Sequence, residues 1–140
     1  INEIKPGKHW NEPHDAAVRV LTEGMVELGI LKGDPEKLIK NDDYTKYFMH
    51  RTGHWLGMDV HDVGDYKLDG EWRMLEAGMV MTVEPGLYLS ANSKSLPNQW
   101  RNIGVRIEDD VLVTKDGYDI LSKDAPKTID EIEELMADAA

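Results

Sequence analysis

The sequence predicts an α+β domain, because helical segments come first, strand-like segments follow and a short helix closes the chain. Residues 11–32 carry apolar side chains at helical spacing, with Asn11 as the N-cap and Gly33 as a stop signal. A second helix is expected to begin at Asp34 and Pro35. The buried stripe of the first helix is expected to be Ala17, Leu21, Met25 and Leu28.

The strand-like segments lie in the second half of the chain. Residues 49–62 alternate poorly and contain glycines, so they predict strand and loop rather than helix. Residues 80–84 are rich in β-branched side chains and are followed by Pro85 and Gly86, which predicts a strand that ends there. Residues 105–114 predict either two strands or one long bulged strand, interrupted at Asp109-Asp110.

Polar segments connect the strands, and a capped helix follows them. Residues 70–77 and 90–102 are expected to be loops, and residues 115–117 a turn. Thr128 and Glu131 match a capping box, which predicts the start of the last helix. The apolar stripe of this helix is expected to be Ile132, Leu135 and Met136.

Composition excludes several classes of function. The 140 residues suffice for one domain, and a net charge of -11 argues against nucleic acid or an anionic membrane as a partner. The chain has no cysteine and no apolar run that suggests a signal peptide or a membrane span, which fits a cytoplasmic protein. The missing initiator Met and the start at IKPG suggest that the chain begins inside a larger protein.

Three of the five histidines lie within twelve residues: His50, His54 and His61. Histidines grouped in this way usually bind a metal or move protons. A single histidine would more often be a partly buried, hydrogen-bonded residue without a catalytic or metal-binding role. The spacing of His50 and His54 matches the zincin helix motif, but Arg51 replaces its glutamate and glycines disfavour a helix. On a strand, His50 and His54 would share a face.

Two glutamates occur in apolar, strand-like runs. Glu84 directly precedes Pro85, and a buried carboxylate there would need a cation, hydrogen bonds or a proton. Glu108 shares a predicted strand face with Arg106. Exposed glutamates and an ordinary Arg–Glu surface pair are the simpler alternatives. One histidine and two carboxylates would form most of a metal site with nitrogen and oxygen ligands.

Four motifs together resemble the catalytic domain of Xaa-Pro aminopeptidases, which belong to the pita-bread metallopeptidases. The motifs are IKPG at 4–7, HxxxHWLGxDVHDVG at 50–64, LEAGMVMTVEPGLY at 75–88 and GVRIEDDVLVT at 104–114. The resemblance implies half of a pita-bread fold, with an antiparallel sheet and helices packed on one face. Residues 1–140 would be the C-terminal portion of the catalytic domain, without its N-terminal half.

The resemblance also implies roles for individual residues. His54, Glu84 and Glu108 would be ligands of a two-metal centre, usually Mn²⁺, and Glu84 would also act as general base. His50 and His61 would contact the substrate and stabilise the tetrahedral intermediate. Arg106 and Tyr88 would belong to the surrounding hydrogen-bond network.

Two departures from the family pattern stand out. The family supplies two aspartate ligands and a further histidine from the preceding half of the domain, and none of these is in this chain. Asp15 is the earliest aspartate, and it lies in the first predicted helix. Arg51 occupies a position where a small residue is expected, so we expect it to crowd the site entrance.

The implied activity of the parent protein is hydrolysis of the bond between an N-terminal residue and a following proline. Its substrates would be peptides with proline at the second position. A prolidase, another hydrolase of this fold, and a binding module that lost catalysis are the alternatives. The strands at 80–84 and 105–113 would expose an edge and an apolar face, so we also expect a homo-oligomer.

Overall fold

The computed structural model describes residues 1–137, in which two helices come first, short antiparallel strands follow and a third helix comes last. The helices are α1 (Glu12–Glu27), α2 (Pro35–Lys40) and α3 (Ile129–Ala137), with 3₁₀ turns at Asp43–Lys46 and Asn98–Trp100. The strands are β1 (Lys67–Leu68), β2 (Glu71–Trp72), β3 (Val80–Val83), β4 (Gly86–Leu89), β5 (Ile103–Arg106), β6 (Asp109–Val113) and β7 (Tyr118–Ile120).

The first predicted helix forms, but it is shorter than residues 11–32. Asn11 occupies the N-cap position as expected, although its side chain donates to Asp15 Oδ2 at 2.7 Å instead of capping the backbone. The helix ends at Glu27 because Gly29 adopts a left-handed φ of 69°. This turn lets the Ile30 N–H donate to the Met25 carbonyl at 2.8 Å, which closes the helix.

The buried face of α1 differs from the predicted stripe. Met25 is fully buried as expected, whereas Leu28 is 48% exposed because the helix has already ended there. Ala17 and Leu21 are only partly buried. The polar His14 and Thr22 belong to the buried face, and apolar periodicity could not indicate them. The buried residues of α1 are Pro13, His14, Val18, Thr22 and Met25.

The second helix begins where the sequence predicts. The Asp34 carboxylate accepts the Lys37 backbone N–H at 3.1 Å, and Pro35 is the first helical residue. At the other end of the chain, the predicted capping box is confirmed: Glu131 Oε2 accepts the Thr128 N–H at 2.9 Å. The apolar stripe of α3 is exposed: Ile132, Leu135 and Met136.

Between α2 and α3, the described residues form three antiparallel sheets. β6 lies between β3 and β7, with Met81 opposite Val111 and Val111 opposite Ile120. β4 pairs with β5, and Tyr88 lies opposite Gly104. β1 and β2 form a small hairpin around Asp69-Gly70, a typical hairpin turn, and β2 lies within residues 70–77, which were predicted to be a loop.

The predicted interruption at Asp109-Asp110 is wrong. β5 ends at Arg106 and β6 begins at Asp109, so the break falls one pair earlier. Asp109 can begin a buried strand because Lys127 Nζ and Ser122 Oγ donate to its carboxylate at 2.6 and 2.7 Å. A paired carboxylate of this kind does not interrupt a strand.

Two apolar clusters hold these elements together. The first joins the N-terminal segment to β3 and β6, and the second joins the end of α1 to β4. The first consists of Ile4, Trp10, Trp55, Leu75, Met81, Val83, Val111 and Val113. The second consists of Met25, Ile30, Tyr47, Leu89 and Leu96. Within residues 1–137, no helix is both long enough and apolar enough to span a membrane.

Candidate metal centre

Residues 52–56 run antiparallel to β3 without forming a regular strand. The Glu84 N–H donates to the Thr52 carbonyl at 2.6 Å, and the Thr82 N–H donates to the His54 carbonyl at 3.0 Å. This segment therefore covers the edge of β3 that was expected to be exposed. The close approach requires a glycine, since a Cβ at Gly53 would lie 2.0 Å from the Thr82 carbonyl oxygen.

The pairing brings the three predicted ligands together. His54 lies in the paired segment, Glu84 follows β3, and Glu108 lies in the break between β5 and β6. One donor atom from each falls within 4.8 Å of the others, and His54 Nε2 lies 3.3 Å from Glu84 Oε1. His54 and Glu84 are partly buried, whereas Glu108 is exposed.

The hydrogen bonding of His54 suits it to bind a cation. Its Nδ1 lies 2.9 Å from the Trp55 carbonyl, which can only accept, so Nδ1 carries the proton. In neutral His54 the lone pair is then on Nε2, which faces the Glu84 carboxylate. Such a contact is favourable only when a cation or a proton lies between the two groups. An imidazole nitrogen and two carboxylates are a suitable donor set for a divalent metal.

Arg106 lies beside both carboxylates. Its Nε is 3.8 Å from Glu84 Oε2 and 4.0 Å from Glu108 Oε2. Its interaction with the Tyr88 hydroxyl, followed by attraction to the two carboxylates, raises the pKa of Arg106. The guanidinium therefore stays charged and offsets part of the negative charge of the site.

The other two histidines occupy different positions around the site. His50 lies outside the segment paired with β3, so it does not share a strand face with His54, as the sequence had suggested. Its Nδ1 lies 2.7 Å from the Arg51 carbonyl, which leaves Nε2 to accept from Tyr88 Oη at 2.9 Å. His61 is exposed, and its ring lies edge-on to that of His54, with 4.3 Å between ring centroids.

Arg51 packs against the β1–β2 hairpin. Its guanidinium lies over the Trp72 ring, 4.8 Å from the centroid, and Lys67 Nζ lies 4.3 Å from the same centroid. The arginine side chain therefore lies against β2 of the hairpin. That Arg51 crowds the site entrance stays a prediction.

Two buried residues that the sequence did not indicate form hydrogen bonds with residues in or next to the site. Thr82 is buried and hydrogen-bonded to both His54 and Glu84. His14, on α1, is also buried, and its Nδ1 lies 2.9 Å from Thr52 Oγ1. Burial, together with the nearby charge of Arg51, lowers the pKa of His14 to about 4, so its ring is neutral at neutral pH.

A family comparison agrees with the resemblance that the motifs predicted. The model of metallopeptidase family M24 matches residues 1–115. The chain is 49% identical over 136 residues to a Xaa-Pro aminopeptidase of Haemophilus influenzae and 47% identical over 135 residues to one of Escherichia coli. These matches cover 97% and 96% of this chain, but only 31% and 30% of the two relatives.

Solved structures confirm the predicted fold. Aminopeptidase PepP of Pseudomonas aeruginosa matches with a TM-score of 0.96 at 58% identity, over 98% of this chain and 31% of that one. Zinc-substituted aminopeptidase P of E. coli, in complex with product, matches with a TM-score of 0.91 at 47% identity, over the same shares of the two chains. The α+β prediction and its assignment as part of a pita-bread fold are therefore correct.

Proposed function

The chain belongs to metallopeptidase family M24, and from this premise we propose that its parent protein is a metal-dependent Xaa-Pro aminopeptidase. Such an enzyme hydrolyses the bond between an N-terminal residue and a following proline. The convergence of His54, Glu84 and Glu108 is the observation that carries the proposal. A binding module of the same fold would have no physical need for this donor set.

We propose that residues 1–140 are the C-terminal portion of the catalytic domain. They span less than a third of the relatives that they match. The remaining metal ligands would come from elsewhere in the longer chain, so the site is complete only in the parent protein.

His54, Glu84 and Glu108 are proposed to hold two Mn²⁺ ions together with those further ligands, because carboxylate-rich sites with some imidazole suit this metal. When bound, the ions would polarise the peptide carbonyl and lower the pKa of water. The E. coli relative has a zinc-substituted form, and metal analysis of the purified parent protein tests whether it carries Mn²⁺.

Other steps of catalysis would be carried out by side chains of this chain. Glu84 is the proposed general base, and both of its oxygens have partners: Oε1 accepts from Thr82 at 3.1 Å and Oε2 lies 3.8 Å from Arg106. His50 and His61 are proposed to contact the substrate and stabilise charge on the peptide oxygen. Tyr88 would hold His50 in position through the 2.9 Å contact between its hydroxyl and Nε2.

Matched peptides test this function in the purified parent protein with Mn²⁺. Tripeptides with proline second should lose their first residue, and the same tripeptides with alanine second should stay intact. Cleavage of Xaa-Pro dipeptides alone would indicate a prolidase, and peptide binding without cleavage would indicate a binding module.

Two further properties of the parent protein are proposed, its location and its oligomeric state. A cytoplasmic location agrees with the absence of cysteine. A homo-oligomer agrees with the exposed apolar side chains of α3. Fractionation of cells and light scattering of the purified parent protein test the two proposals separately.

A further inference from the structure

Thr82 is a buried polar residue at the centre of the site, and although it lies in the motif at 75–88, none of the roles that the family resemblance implies includes it. It lies on β3 opposite Asp110 and is only 2% exposed. A buried hydroxyl without partners is costly, so its hydrogen bonds indicate why threonine is tolerated there.

The Thr82 hydroxyl both accepts and donates a hydrogen bond. Its oxygen accepts the His54 backbone N–H at 3.0 Å, and its proton is donated to Glu84 Oε1 at 3.1 Å. An N–H group can only donate and a carboxylate can only accept, so the direction of both bonds is fixed.

A third bond strengthens the connection to His54. The Thr82 backbone N–H donates to the His54 carbonyl at 3.0 Å. Thr82 therefore binds both the N–H and the carbonyl of His54, so the backbone of that residue is held at two points. The same threonine side chain fixes Glu84 Oε1, which faces His54 Nε2 at 3.3 Å.

We propose that Thr82 is a positioning residue whose hydroxyl sets the Glu84 carboxylate against His54, and that this arrangement raises both metal affinity and turnover. The inference rests on the proposed metallopeptidase function and adds a residue to it. Thr82 touches neither metal nor substrate in this role. It acts through the rotamer of Glu84 and the backbone of His54.

Thr82→Val and Thr82→Ser separate the hydroxyl from the shape of the side chain. Valine keeps the branched shape and removes the hydroxyl, whereas serine keeps the hydroxyl. Thr22→Val is a matched control, because Thr22 is fully buried and its hydroxyl has no hydrogen-bond partner among the described residues.

The variants are compared in the full parent protein, by calorimetric titration with Mn²⁺ alone and by the kinetics of Xaa-Pro cleavage. Thr82→Val should weaken Mn²⁺ binding and lower kcat, each by roughly 10-fold or more, with KM changed little. Thr82→Ser should restore most of both losses. Thr22→Val should behave like the wild type.

The inference is overturned if Thr82→Val binds Mn²⁺ and turns over like the wild type, or if Thr82→Ser is as impaired as Thr82→Val. If Thr82→Val does not fold, Thr82→Ala serves as the hydroxyl-free variant, with circular dichroism as the check. If the wild-type parent does not cleave Xaa-Pro peptides, the proposed function fails, whereas the Mn²⁺ titrations still decide the role of Thr82.

Discussion

At the scale of single residues, His54 and His61 are neighbours with different surroundings. His54 is partly buried and its Nδ1 is fixed by the Trp55 carbonyl, whereas His61 is exposed. We expect His54→Ala to lower the metal content of the parent protein, and His61→Ala to lower its rate with metal still bound. Mass spectrometry of metals in both purified variants tests whether His54 binds metal and His61 does not. Equal metal loss in the two variants would contradict it.

His14 predicts a pH dependence of stability. Its pKa is about 4 in the folded chain, against an ordinary value of 6.5. Above pH 6.5 the ring is neutral in both the folded and unfolded states. As the pH falls from about 6.5 towards 4, the unfolded state binds a proton that the folded state does not, so stability falls.

The variant His14→Gln should therefore lose less stability than the wild type between pH 7 and pH 5. Thermal unfolding of the metal-free protein at both pH values measures this. His9→Gln is the matched control because His9 is exposed, and it should keep the wild-type slope. An unchanged slope in His14→Gln would rule out burial of the neutral ring as the cause.

The sequence indicated the residues with distinctive chemistry but not those that support them. His54, Glu84 and Glu108 could be proposed as ligands because histidines grouped with glycines, and glutamates in apolar runs, are unusual. Thr82 and His14 could not be proposed. Thr82 binds His54, 28 residues away along the chain, and His14 contacts Thr52, 38 residues away, so these two contacts become visible only in the tertiary structure.

At the scale of elements, the pairing of residues 52–56 with β3 depends on Gly53. A Cβ there would lie 2.0 Å from the Thr82 carbonyl oxygen, so Gly53→Ala must push the two backbones apart. We expect this variant to lose more than about 2 kcal/mol of stability and much of its bound metal. Thermal unfolding and metal analysis of the parent protein measure the two effects.

Gly24→Ala provides the control for Gly53→Ala. Gly24 lies within α1, and a Cβ there meets no atom within 4 Å. Alanine should stabilise the helix by up to about 1 kcal/mol. If Gly53→Ala were as stable and as rich in metal as Gly24→Ala, close pairing with β3 would not be needed for the site.

Element types were easier to predict than their ends and faces. α2 and α3 begin where their caps indicate, because Asp34 and Thr128 form local hydrogen bonds. The start of β6 was predicted wrongly because an aspartate is unfavourable in a buried strand. Asp109 is stable there because Lys127, 18 residues away along the chain, donates to its carboxylate. The sequence therefore predicted the start of an element correctly where the stabilising hydrogen bond joins residues that are close along the chain.

At the scale of the whole molecule, the described residues expose apolar side chains at several places. Met58 and Val63 are 101% and 89% exposed, and α3 exposes Leu135 and Met136. Faces of this kind favour association with another surface. Apolar spacing predicted the α3 stripe correctly but not its exposure, because exposure depends on what packs against a helix.

The 140-residue chain, produced alone, should therefore self-associate. It should also bind Mn²⁺ weakly and be inactive on Xaa-Pro peptides, because the two anionic aspartate ligands that the family resemblance implies are not in this chain. A closed two-fold dimer is the commonest solution for such a surface. Size-exclusion chromatography with light scattering at micromolar concentration measures the mass. A clean monomer would contradict the prediction and would mean that these apolar residues do not drive association.

The central claim is that Glu84 is both a metal ligand and the general base of a metallopeptidase. Glu84→Gln in the purified parent protein tests it most directly, because glutamine keeps the shape and removes the charge and the base. With Mn²⁺ and a Xaa-Pro tripeptide, kcat should fall by roughly 10²–10⁴-fold, while the unfolding temperature of the metal-free protein changes little. Glu76→Gln, at an exposed position, should keep wild-type turnover. A Glu84→Gln variant with near wild-type kcat would contradict the account.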